Sequence, residues 1–257
     1  ALLGLRVTFS QVQALGWGTV LLVVGSVAVT ILVGVALARA LKLGSAFGTL
    51  TGGAVAICGA SAALAIASIL PRHENAERDA SFTVIGVTAL STLAMILYPI
   101  VVGVLSLDHH DAGLFLGGTI HDVAQVVGAG YSVSPETGDI ATIVKLLRVA
   151  MLLPACLVIG VALHVRGSQS AHAAPVLPWF AVAFAALVVV NSFGWIPAPA
   201  IEAGSTFSRM CLVTAIAAIG MKTSLKSLVD MGFKPVMLMV LETLVLAGIV
   251  LGVMSWR

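Results

Sequence analysis

The chain has 257 residues, of which 60% are hydrophobic and only 9% are Asp, Glu, Lys or Arg, where a soluble domain carries roughly a quarter charged residues. That balance, with a mean hydropathy of +1.12, argues against a soluble protein, and the net charge of +2 comes from scattered loop residues that offer no basic block for nucleic acid. Cys58, Cys156 and Cys211 are odd in number and lie in apolar segments, without the spacing of a disulfide framework or a metal site. The class that remains is an all-α polytopic helical membrane protein.

Taken in chain order, residues 1–8 read as the tail of an earlier helix. With no Met or charged segment ahead of them, the chain is expected to lack N-terminal helices. Eight apolar spans follow, at 17–38, 46–70, 80–106, 112–130, 140–164, 177–195, 205–221 and 233–255, each near the roughly 20 residues that cross a bilayer. The connections are short ("RALKLG", "PRHENAERD", "LDHHD", "SPETGD") and leave no room for a soluble domain. One transmembrane domain over residues 1–257 is the expected organisation.

Two spans are poor anchors. Span 46–70 contains "GTLTGGAVAICGASA" and span 112–130 contains "GGTIHDVAQVVGAG", both glycine-rich and polar at their centres. Glycines can serve close helix packing, but polar atoms beside them point to broken helices, which are tolerated in a membrane where they line a cavity or are buried in protein. Breaks are predicted near Gly59 and near Gly117–Gly118. An ungapped match of "LLGLRVTFSQVQALGWGTV" at 2–20 to "AIGMKTSLKSLVDMGFKPV" at 218–236 pairs Gly4 with Gly220, Arg6 with Lys222, Gly16 with Gly232 and Trp17 with Phe233. The helices after the two copies cross in opposite directions on the span count, the pattern of an inverted repeat.

The polar residues within the spans form a candidate site. His121 and Gln125 stand four apart on one helix face, with Asp122 beside them. An isolated His could simply bond a neighbouring helix, but a charged Asp at mid-membrane is a functional candidate by default. Lys145 and Arg148 share a face of the next span. Snorkelling to the interface suits Lys145 better than the deeper Arg148. Glu242 lies near the middle of the last span. Lys145, Arg148 and Arg209 against Asp122 and Glu242 leave one positive charge in excess, which suits an anion. Gly59 and Ser61 mark the start of a second half-helix, whose free N–H groups would cradle negative charge. Cys58 is assigned position rather than reactivity.

"GGAVAICGASAALA", "GLFLGGTIHDVAQVVGAG", "IVKLLRVAMLLP", "PWFAVAF" and "AIGMKTSLKSL" occur in an order that resembles the YeiH-like sulfate exporter family of bacterial membrane proteins, over nearly the whole chain. The resemblance implies additional N-terminal helices, and a distant similarity to inverted-repeat antiporters and bile-acid symporters whose two broken helices cross near the midplane. It supplies no binding residues.

The leading expectation is therefore a secondary transporter exporting a small anion such as sulfate or a sulfur-containing organic acid. Gly59, Ser61, His121, Asp122, Gln125, Lys145 and Arg148 would line the path, and Asp122 or His121 would handle a coupling proton. No GxxxxGK[ST] phosphate loop is present, so gradient coupling is the default. No cofactor or metal is expected. The expected partners are the anion and the bilayer, and a homodimer is compatible with the sequence. The alternatives are cation/proton antiport by Asp122 and Glu242 with Lys145, and an intramembrane enzyme pairing Ser61 or Cys58 with His121. The second lacks a GxSxG elbow.

Overall fold

A helix in a bilayer bonds its own backbone, so only its side chains need partners, and the long Leu/Val/Ala runs of this chain form such helices. The structure, a computed structural model, describes residues 16–71, 73–165, 179–197, 199–204, 206–207, 210–211, 214 and 232–256. The chain is an all-α, multi-pass membrane protein, with no strand among the described residues. Helices α1 (Gly16–Ala40), α4 (Ala76–Val104) and α10 (Phe233–Met254) have 25, 29 and 22 residues, enough at 1.5 Å per residue to cross a hydrocarbon core of about 30 Å. Helices α7 (Pro135–Ala150) and α8 (Leu152–Val165) share a further crossing length. Within span 140–164 the helix is interrupted at Met151, where Pro154 has no N–H to bond the Ala150 carbonyl. Helix α9 covers Trp179–Ser192.

Small and hydroxyl side chains share the bundle interior with large apolar ones such as Phe47, Phe115 and Leu246, while other large apolar side chains face outward. Along α1, Thr19, Ser26, Thr30 and Gly34 are buried while Trp17, Leu21 and Leu32 are exposed. On α10 the buried stripe is Leu238, Met239, Glu242, Thr243, Leu246 and Val250, and Leu244 faces out. Hydrophobic burial drives nothing where the solvent is lipid, so close packing of small residues holds these helices together. A Cβ on Gly34 of α1 would strike the Glu242 side chain of α10, and Val20 and Val23 of α1 share an apolar cluster with Met254. The two helices therefore run antiparallel. Gly16 and Gly232, at their starts, have φ of 76° and 77°. Most of the two proposed repeat copies, at 2–20 and 218–236, and most of span 205–221 lie outside the described residues.

Two spans are each split into half-helices. The first gives α2 (Ser45–Ala56) and α3 (Ala60–Ile69), 12 and 10 residues. The break falls where it was expected: Gly59 has φ +65° and ψ −124°, a conformation that a side chain at this position would strain. The second gives α5 (His109–Thr119) and α6 (Val123–Val133), 11 residues each. Here the expectation needs correction. Gly117 and Gly118 are helical, and the break comes later, at Ile120, His121 and Asp122. A Cβ on Gly117 would strike the Ala141 carbonyl and lie 2.9 Å from the Val144 Cβ, so this glycine serves the contact between α5 and α7 and not a turn. The chain re-enters helix at Asp122, whose carboxylate accepts from Ala124 N at 2.7 Å. Between α6 and α7 the connection is the single residue Ser134, which caps α7 by accepting from Thr137 N at 3.1 Å, with Pro135 at the first helical position.

Candidate functional site at the crossing of two broken helices

A helix that ends inside a membrane leaves its last carbonyls without N–H partners. Helices α2 and α5 both end this way, and one face of α7 supplies both. Lys145 Nζ donates to Ile57 O at 2.6 Å and to Ile120 O at 3.0 Å. Arg148 uses every N–H it has. Its Nε donates to Ala56 O at 2.9 Å, one terminal nitrogen donates to Gly117 O and Ile120 O at 3.2 and 3.1 Å, and the other donates to Val55 O and Ala56 O at 2.9 and 2.6 Å. Both side chains are fully buried. The two breaks also touch directly, since a Cβ on Gly59 would sit 3.6 Å from His121 O.

Spacing placed Lys145 and Arg148 on one face, but it could not show what that face meets. The guanidinium fork has no donor left for a ligand, and Lys145 keeps one of its three. No ion pair joins Asp122 to either of them, or to any other cation among the described residues. Its carboxylate caps α6, and its N–H donates to Ser91 Oγ at 2.9 Å. Carbonyl dipoles, not a carboxylate, balance the two cations.

The remaining predicted residues divide by exposure. His121 is fully buried, with Nε2 3.1 Å from Thr243 Oγ1 on α10. The Thr243 hydroxyl donates to Met239 O, so His121 Nε2 is the donor to Thr243. Nδ1 is buried without a hydrogen-bond partner. Ser61, Asp122 and Gln125 are half-buried. Gln125 Nε2 donates to Thr92 Oγ1 at 2.8 Å, while its Oε1 has no partner. Gly59, at the head of α3, gives that helix no side-chain cap, and no acid stands in the first turn of α3. Glu242 is not at the crossing itself: it bonds Thr51 of α2 at 2.8 Å, one layer behind. Arg209 lies outside the described residues.

The electrostatic balance follows. Two full positive charges face two helix C-termini, each worth about half a negative charge, while the N-termini of α3 and α6 contribute about half a positive charge each. Asp122 subtracts one charge at α6. With Lys145 and Arg148 both charged, this sum leaves the crossing positive by about one charge.

The chain matches, over residues 1–239, the protein family described as Conserved hypothetical protein 698. It belongs to that family. Members similar to it include a UPF0324 membrane protein of Chlorobaculum tepidum, 55% identical over all of this chain and 72% of the relative. The UPF0324 membrane protein TauZ of Paracoccus denitrificans is 50% identical over 96% of this chain and 74% of its own length. A UPF0324 membrane protein of Rhizobium meliloti is 51% identical over 100% of this chain and 75% of its own. No solved structure matches the chain. Sequence reasoning missed the hydroxyl groups that orient this family member's polar residues, Ser91, Thr92, Thr51 and Thr243. Their one sequence signal is a hydroxyl in an otherwise apolar helix, which fits a simple i−4 backbone bond equally well. It also missed Asp108, His110 and Asp111, whose ligand atoms lie within 4.8 Å of one another at the start of α5. There Asp108 serves as the N-cap, accepting from Asp111 N.

Proposed function

We propose that the protein is a secondary transporter that moves a small anion past the crossing of its two broken helices. The observation that carries this reading is the full commitment of Arg148 to five carbonyl bonds. With the negative helix ends already neutralised, the first N–H groups of α3, on Ala60 and Ser61, have positive charge behind them and no acid beside them. Ser61, next to that start and half-buried, adds a hydroxyl. Such a site holds an anion by N–H donation and field, in the manner of half-helix N-termini in transporters. Export of sulfate or a sulfur-containing organic anion, driven by an ion gradient, is the finer form of the proposal and accords with the resemblance in motif order. The enzyme alternative has little support, because His121 is bonded to Thr243 and not to Ser61 or Cys58. Single-domain organisation and a homodimer remain parts of the proposal.

Thermal shift of the purified full-length protein against sodium salts of sulfate, a small sulfur-containing organic acid and chloride, at matched ionic strength, tests this. A site ligand present at a hundred times its Kd adds about 2.7 kcal/mol, which for a protein of this size raises Tm by roughly 5–10 °C. The expected result is such a rise with an oxyanion and none with chloride. A rise that follows sodium whatever the anion would favour cation/proton antiport instead.

A further inference from the structure

Glu242 sits at the middle of α10 with no exposed surface. A Cβ on Gly34 of α1 would stand 2.5 Å from its Oε1, so the absent side chain of Gly34 is the space the carboxyl group occupies. Oε1 lies 2.8 Å from Thr51 Oγ1, and Oε2 is buried without a partner. The ionisable groups on the elements packed around it are remote or engaged. Helix α1 carries only Arg39, in its last turn, and α2 carries none. On α4, Glu77, Arg78 and Asp79 crowd the first turn and Tyr98 packs on Phe115. On α5, His109, His110 and Asp111 begin the helix. Helix α10 itself adds Lys234 in its first turn. His121 comes nearest, reached through the neighbouring residue Thr243.

Hydrogen-bond bookkeeping separates the two forms of the side chain. Thr51 has one hydroxyl proton and two acceptors in range, Glu242 Oε1 and the Phe47 carbonyl at 3.1 Å. If the carboxyl group is protonated, its O–H donates to Thr51 Oγ1, Thr51 donates to Phe47 O, and the chain is complete. If it is ionised, Thr51 must abandon Phe47, and a buried negative charge has a single donor and no cation. Burying an unpaired charge is far more costly than burying the neutral acid.

We propose that Glu242 is the proton-carrying group of the transport cycle. It is neutral in the conformation described here and exchanges its proton with water when the packing of α1, α2 and α10 opens. A proton from one aqueous phase joins the carboxylate oxygen, and the same bond breaks toward the other phase. Its place suits coupling: Glu242 bonds the half-helix α2, and Thr243 beside it bonds His121 in the second break, so α10 touches both broken helices at consecutive residues.

This inference rests on the transporter reading, and the test has one arm that does not. Infrared difference spectroscopy of wild type against Glu242→Gln at neutral pH reports the C=O stretch of a protonated carboxylic acid. The expected result is a band present in wild type and missing in the variant. No difference in that region would overturn the assignment of a neutral acid, whatever the protein transports. The second arm uses proteoliposomes loaded with sulfate. Glu242→Gln is expected to keep sulfate counterflow within about twofold of wild type while losing pH-gradient-driven accumulation at least tenfold. Unchanged gradient-driven accumulation would overturn the coupling role. Absence of counterflow in wild type as well would overturn the transport of sulfate and the coupling role with it, while the infrared band would still decide the protonation state.

Discussion

Arg148→Ala is expected to destabilise the protein before it affects any flux. The substitution strips five hydrogen bonds from four buried carbonyls in two different half-helices, and removing one partner from a buried charged arrangement costs about 3–5 kcal/mol. For a protein of this size that corresponds to a fall in Tm of roughly 10 °C or more, readable by differential scanning fluorimetry in detergent. Arg148→Lys should fall between, because lysine brings three donors where arginine brings five. Its loss of transport would then follow its loss of stability. Lys145→Arg should be milder, since the longer side chain can still reach Ile57 O and Ile120 O. Wild-type Tm for Arg148→Ala would show that the carbonyl cage contributes nothing and would return Arg148 to the ligand path.

Ser61→Asp should separate folding from function with opposite signs. An acid in the first turn of α3 faces a positive helix end and should raise stability by about 0.3–1 kcal/mol. The same charge would occupy the field proposed for the anion. Two like charges about 4 Å apart repel by about 4 kcal/mol at an effective dielectric constant of 20, and 1.4 kcal/mol already amounts to tenfold. Anion flux in proteoliposomes should therefore drop at least tenfold while Tm holds or rises. Ser61→Asn, polar and uncharged, should retain most of the flux. Full flux in Ser61→Asp would place the anion elsewhere.

The membrane class and the long spans were legible because composition and run length decide them directly. The first break was legible for a definite reason: at Gly59 the backbone requires glycine, and glycine was the signal used. The second was misplaced by a few residues because glycine has two uses. Gly117 is small so that Ala141 can approach, whereas the true break lies at Asp122, which looks like a charged ligand until its capping bond is seen. The face shared by Lys145 and Arg148 followed from helical spacing. Their partners did not, since Arg148 bonds carbonyls 92 and 93 residues earlier in the chain and backbone atoms carry no sequence signature. Glu242 was noticed as a buried charge, but its glycine pocket on α1 comes only from the antiparallel contact of α1 and α10.

The most direct test of the central claim, that a small anion passes the crossing beside α3, is counterflow of labelled sulfate in proteoliposomes of the full-length protein. Wild type, Ser61→Asp and Ser61→Asn would be compared at equal reconstituted amounts and without ion gradients. The account predicts saturable uptake in wild type, a comparable rate in Ser61→Asn, and at least a tenfold loss in Ser61→Asp with normal thermal stability. Equal uptake by all three, or sodium/proton exchange in place of any anion movement, would contradict it.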